Sequence, residues 1–156
     1  MSIHDYLIDH KDLDWKSLFA EWTWLLPNTF TVWLMNRFGD LFLVFDDGSV
    51  HMLDVGKGSL EQVAQSRDDF RAKVDEDDTV NDWFMIPLID QLVAAGITLK
   101  EGQCYSYKQP PVLGADYTVE NTCVLPIAEH YGAYGSIHNQ IKGLPDGTQV
   151  ELKVTK

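Results

Sequence analysis

Cysteine is scarce in this chain, basic residues are outnumbered by acidic ones, and no apolar run is long. Only Cys104 and Cys123 occur, and neither belongs to a CxxC pair. A structural zinc site is therefore unsupported, and in a reducing compartment so is a disulfide. Twelve lysines and arginines stand against 24 aspartates and glutamates, a formal net charge of −12. That balance repels phosphate backbones and anionic lipid surfaces, so nucleic acid and membrane are not expected partners, whereas a basic protein is. Solubility alone is the bland explanation of the same charge. No stretch approaches the roughly 20 apolar residues that span a bilayer, and no signal-peptide core opens the chain. Cytoplasmic residence is the default expectation. No repeat, low-complexity tract or linker divides the chain, so residues 1–156 read as one domain.

What is present is a packed core: apolar residues make up 45%, too many for an acidic disordered tail. Between Phe38 and Val55 two apolar runs flank Asp47-Gly48, a pair that favours a tight hairpin turn with positive φ at both central positions. Leu41–Phe45 is apolar on both faces, which predicts a central strand covered by helices. Val50–Val55 is the other arm, and Phe30–Phe38 reads as a preceding strand. Trp15, Leu18, Phe19, Trp22, Leu25 and Leu26 recur at helical spacing, predicting a helix from an Asp14 cap to Pro27. Ser59 and Ser66 are expected to cap short helices over Leu60–Gln65 and Arg67–Val74. Asp75-Glu76-Asp77-Asp78 reads as an exposed loop. Trp83 to Val93 follows as a buried helical region that Pro87 kinks or restarts, and Gly96 ends it with Ile97 folding back on Leu92. Gln103–Tyr107 and Thr118–Val124 read as strands, Pro126 as the start of a last helix, and Val150, Leu152 and Val154 as a closing strand after a Pro145-Asp146-Gly147 turn. The order argues for an α+β fold with a mainly antiparallel sheet packed with helices.

Several features imitate chemistry without supplying it. His130 and His138 are eight residues apart, twice the spacing of a helical metal pair, and His138 falls on the apolar stripe. A core histidine with a hydrogen-bond partner is the stronger expectation. His51 suits a cross-strand surface role in its hairpin arm. Cys104 paired with His130 or His138 is the one enzyme reading to weigh, yet nothing flanking Cys104 lowers a thiol pKa. Gly56-Lys57-Gly58-Ser59 lacks the upstream glycine of a phosphate loop, and Asp46-Asp47-Gly48 lacks the later ligands of a calcium loop. No catalytic residue, cofactor or metal is expected. Gly132 and Gly135, inside the last helix, predict close approach of another backbone or a break in the helix.

Three segments carry a resemblance. They are Phe38-Gly-Asp-Leu-Phe with Asp47-Gly-Ser-Val-His-Met-Leu-Asp-Val, then Gly102-Gln-Cys-Tyr with Pro111-Val-Leu-Gly, then Ala128-Glu-His-Tyr-Gly with Ile137-His-Asn-Gln. In order and spacing the chain resembles the C-terminal domain of type VI secretion immunity proteins, from about Trp33 to Lys142. The resemblance implies binding and neutralising a cognate antibacterial toxin inside the producing cell, with no catalysis. Members of that family are known from partners of DNase toxins. The charge agrees independently, because a nuclease holds a basic cleft that a carboxylate-rich inhibitor can occupy. Asp46, Asp47, Asp75, Glu76, Asp77 and Asp78 are the expected partner-binding residues, facing a basic toxin. A non-catalytic regulatory or scaffold module that happens to be acidic is the remaining alternative.

Overall fold

The computed structural model describes residues 3–142. The expected Pro145 turn and the closing strand through Val150 lie outside the described residues. Four strands, β1 (Thr31–Met35), β2 (Leu41–Val44), β3 (Val50–Asp54) and β4 (Ser59–Ala64), form an antiparallel sheet in the order β1-β2-β3-β4. A separate antiparallel pair joins β5 (Gln103–Tyr107) to β6 (Thr122–Pro126). The helices are α1 (Trp15–Leu18), α2 (Arg67–Val74), α3 (Asp77–Trp83), α4 (Ile86–Ala94) and α5 (Ile127–Ile141). The fold is α+β, and among the described residues every strand pairing is antiparallel.

Strand β2 is buried at all four positions, as its two-sided apolar pattern predicts. On one face Phe42 meets Phe70 of α2 and the Trp83–Phe84 end of α3. Elsewhere in the core Phe38 packs on Tyr105 and Tyr107, and Tyr107 meets Tyr134 of α5. Each such ring taken out of water contributes about 2–3 kcal/mol. The β2–β3 turn differs from expectation. Gly48 alone has positive φ (+88°), and Gly48 N–H donates to the Phe45 carbonyl at 2.9 Å. This is a type I turn closed by a left-handed glycine, favoured because the Asp47 carboxylate accepts the Ser49 N–H at 2.9 Å.

Two expected helices give way to tertiary pairing. Ser59–Ala64 is an edge strand, because Gly58 (φ +69°) turns the chain and Met52, Leu53 and Asp54 of β3 pair with Glu61, Leu60 and Ser59. A six-residue helix offers too few internal bonds to compete with that ladder. The N-terminal helix stops at Leu18, with Asp14 capping Ser17 N–H as expected. Beyond it the chain descends in tight turns to Leu26, Trp22 N–H bonding to Phe19 and Leu25 N–H to Trp22. The reason is Trp22: its fully buried indole donates to the Tyr131 carbonyl of α5 at 2.9 Å. A regular helix yields to that anchor.

Other boundaries follow local chemistry. Ser66 caps α2 through Asp69 N–H, and Arg67–Val74 is helical as expected. Asp75–Asp78 is exposed but not a loop: Asp77 and Asp78 begin α3, where carboxylates favour the positive helix end. Met85, in the left-handed region at φ +53°, separates α3 from α4, so Pro87 sits in the first turn of a new helix. Gly96 ends α4 at φ +81°, with Ile97 N–H bonded to Leu92 and Gly96 N–H to Val93. That is the Schellman arrangement, and it folds Ile97 back as predicted. Strand β6 begins at Thr122, four residues later than expected, because the Asn121 side chain ties the preceding turn to Gln109 and Asp116.

Helix α5 runs unbroken through both of its glycines, which play different parts. A Cβ on Gly135 would lie 2.7 Å from Glu21 Cβ and 2.8 Å from both the Glu21 carbonyl and the Trp22 indole nitrogen; a Cβ on Gly132 would meet nothing within 4 Å. Gly135→Ala is therefore expected to destabilise the fold by about 1–3 kcal/mol through overpacking. Gly132→Ala should stabilise it by about 1 kcal/mol through helix propensity. Urea unfolding of the two variants checks this pair of opposite signs.

Candidate functional site

The acidic residues expected to bind a partner sit on two separate structures. Asp46 and Asp47 form the exposed β2–β3 turn, where Asp46 accepts the Thr29 hydroxyl at 2.6 Å. Asp75 to Asp78 are exposed between α2 and α3, with Glu76 accepting the Thr79 hydroxyl at 3.3 Å. Among the described residues no hydrogen bond or ion pair joins the two groups.

The fold assembles a different carboxylate cluster. A cleft of about 430 Å³ lies beside β3 and β4. Met52, Asp54 and Glu61 form its strand side, Asp82, Trp83 and Met85 its helix side. Asp40, Lys57, Tyr107 and Tyr117 close the remaining walls. Asp40 is 2% exposed, and burial together with the Asp54 charge holds its carboxyl well above the ordinary range. Burial also raises Asp54, and Asp82 adds to the effect, while the Asp54 oxygen accepts Lys57 N–H at 2.9 Å. Tyr117 is raised first by burial and then by the charges of Asp54, Asp40 and Asp82, which line the same cleft.

Sequence reasoning pointed to none of Asp40, Asp54, Glu61 or Asp82. Asp40 and Asp54 were legible only as parts of Phe-Gly-Asp and Leu-Asp-Val, segments that read as fold determinants. Asp40 is indeed one of these: Val55 N–H and the Asn36 amide each donate to a carboxyl oxygen, at 2.8 and 3.1 Å. The expected helix over Leu60–Gln65 hid the Glu61 signal, since only the β3–β4 register sets that residue opposite Met52.

Cys104, His51, His130, His138 and the Gly-Lys-Gly segment serve the structure. Cys104 is fully buried in β5, where desolvation pushes its thiol up, away from the thiolate a nucleophile needs. None of the hydrogen bonds of His130 or His138 runs to Cys104. His130 Nδ1 meets the Ser106 hydroxyl at 2.7 Å, but both residues are 0% exposed, so the pair is closed to substrate. His138 donates from Nε2 to the Val55 carbonyl at 2.7 Å. The Gly-Lys-Gly segment has a packing role, as a Cβ on Gly58 would lie 2.5 Å from the His138 ring and one on Gly56 2.8 Å from Tyr107. His51 stacks on Phe45 at 3.7 Å, the cross-strand role expected of it. Among the described residues no three His, Cys, Asp or Glu side chains form a metal-binding group, and no helix is long and apolar enough to cross a membrane.

These features define an α+β protein whose buried thiol and imidazoles belong to its core and whose cleft is lined with carboxylates. Residues 64–138 match the family model described as T6SS immunity protein Tdi1, C-terminal. Over those residues the chain is similar to the C-terminal domain of a type VI secretion immunity family, which bears out the resemblance read from the sequence. The match begins at the end of β4 and reaches into α5, so it includes Asp82, Trp83, Tyr107 and Tyr117. The Phe38–Val55 segment lies before it. No curated protein and no solved structure matches the chain.

Burial pushes the His130 pKa down to about 4. Between about pH 6.5 and 4 the unfolded chain binds a proton that the folded chain refuses, so stability falls as pH drops through this window. The loss attributable to His130 is about 3 kcal/mol. His138, also lowered by burial, acts in the same direction. Asp40 and Asp54 are raised and act oppositely, their contribution falling as pH rises above the ordinary carboxyl range. His130→Gln should flatten the wild-type stability profile between pH 6.5 and 4 by close to one proton, measured by urea unfolding at each pH.

Proposed function

We propose that this protein binds and neutralises a cognate secreted antibacterial toxin within the cytoplasm of the producing cell, with no catalysis of its own. The family match over residues 64–138 is the observation that carries this reading. We further propose that the toxin is a nuclease and that blockade is electrostatic. A nuclease must present a cationic surface to its phosphate substrate, and a chain of net charge −12 is complementary to it. Exposed acids such as Asp46, Asp47 and Asp75 to Asp78 then act as steering charges. They raise the encounter rate by about 10- to 1000-fold, while affinity comes from a smaller desolvated centre.

The test is calorimetry and stopped-flow binding with the toxin encoded beside the gene, purified in a catalytically inactive form. A stoichiometric complex is expected, with association slowing at least about tenfold as salt rises from about 0.01 to 1 M and the screening length shrinks from about 30 to 3 Å. Neutralising Asp75, Glu76, Asp77 and Asp78 together should slow association and leave dissociation nearly unchanged. Absence of binding at low salt overturns the reading.

A further inference from the structure

We propose that the cleft beside β3 and β4 is a receptor for a single arginine side chain of the protein partner. The inference rests on the reading above that the chain binds a basic toxin, and it names the group that is captured. Clustered carboxylates alone describe only a solvated surface. Here three separate observations point to a cation.

The first is the shape and lining of the cavity. Its 430 Å³ is bounded by the rings of Trp83, Tyr107 and Tyr117 and by the thioethers of Met52 and Met85. A guanidinium stacks on aromatic faces, and its aliphatic stem lies against apolar walls. An ammonium is more strongly hydrated and gains less from such a lining. The second is charge: Asp54, Glu61 and Asp82 line the cavity with Lys57 as the one basic side chain among its lining residues. Carboxylates on both the strand and the helix side suit the forked donors of arginine.

The third is the position of Lys57. Its ammonium stands 6.0 Å from the centroid of the Tyr117 ring, so the protein's own cation already occupies the aromatic wall. Lys57 is exposed and forms no ion pair among the described residues. An arriving guanidinium can therefore displace it without breaking a salt bridge.

The surroundings complete the picture. Tyr117, one of the lining residues, is 41% exposed, so its ring is open to an arriving side chain.

The test is a titration of the ¹⁵N-labelled chain, followed by NMR, with N-acetyl-arginine methylamide and with its uncharged citrulline counterpart. Saturable shifts are expected at the amides of Asp54, Lys57, Glu61, Asp82 and Tyr117 with the arginine compound alone. The double variant Glu61→Gln/Asp82→Asn should bind it about tenfold more weakly, and should bind the toxin at least about tenfold more weakly as well. Asp75→Asn/Asp77→Asn should slow toxin association but leave the dissociation rate within about threefold of wild type, whereas the cleft variant speeds dissociation. Equal shifts with the citrulline compound overturn the proposal. So do shifts spread over Asp75 to Asp78, no saturable shifts, or unaltered toxin affinity in the double variant. Because the wild-type toxin titration is a separate measurement, toxin binding with an unresponsive cleft refutes the arginine receptor alone, whereas absence of toxin binding refutes the function itself.

Discussion

The fold converges on five residues, Asn36 to Asp40, between β1 and β2. The buried Asn36 side chain satisfies four groups at once. Its Oδ1 accepts Phe38 N–H at 2.9 Å and Asp40 N–H at 3.0 Å, and its Nδ2 donates to Asp40 at 3.1 Å and to the Trp83 carbonyl at 3.0 Å. From this knot each layer takes its position. Asp40 holds Val55 at the end of β3, and the Arg37 carbonyl accepts Tyr105 N–H of β5 at 2.8 Å. The Gly39 carbonyl receives the Tyr131 hydroxyl of α5, and Asn36 bridges to Leu7 near the N-terminus. Backbone groups buried this deeply are costly when unpaired, so one amide side chain sets how sheet, helices and strand pair meet.

The same knot creates the acidic cleft. To reach Val55 and Asn36, Asp40 must stand where water is excluded and Asp54 is close, and both carboxyls are held above their ordinary range as a result. The molecule keeps a destabilising electrostatic arrangement at this point of its interior. Natural folds tolerate such local conflict mainly where something other than stability is served. The proposed use is recognition of a cationic partner.

Trp22 and Gly135 show how little backbone freedom remains on the far side of the core. The indole reaches the Tyr131 carbonyl only because α5 carries no side chain at position 135, and the turns after α1 exist to deliver that indole. His130 and His138 are bound into the same wall, one to Ser106 and one to Val55. Cys104, His130 and His138, the residues most suggestive of chemistry, are held in the packed interior instead.

The chain by itself determined whatever depends on neighbours a few residues away. Ser66 capping α2, Gly96 and Ile97 closing α4, the two-sided burial of β2 and the antiparallel α+β class were all legible, because caps, turns and periodicity are local. The family resemblance was legible too. Tertiary structure decided what depends on distant partners: that Leu60 to Ala64 joins a sheet edge, that the N-terminal helix ends at Leu18 to seat Trp22, and that Asp40, Asp54, Glu61 and Asp82 share one cleft. Residues up to 42 positions apart meet there only through strand register and the Asn36 knot, and no local pattern encodes such a meeting.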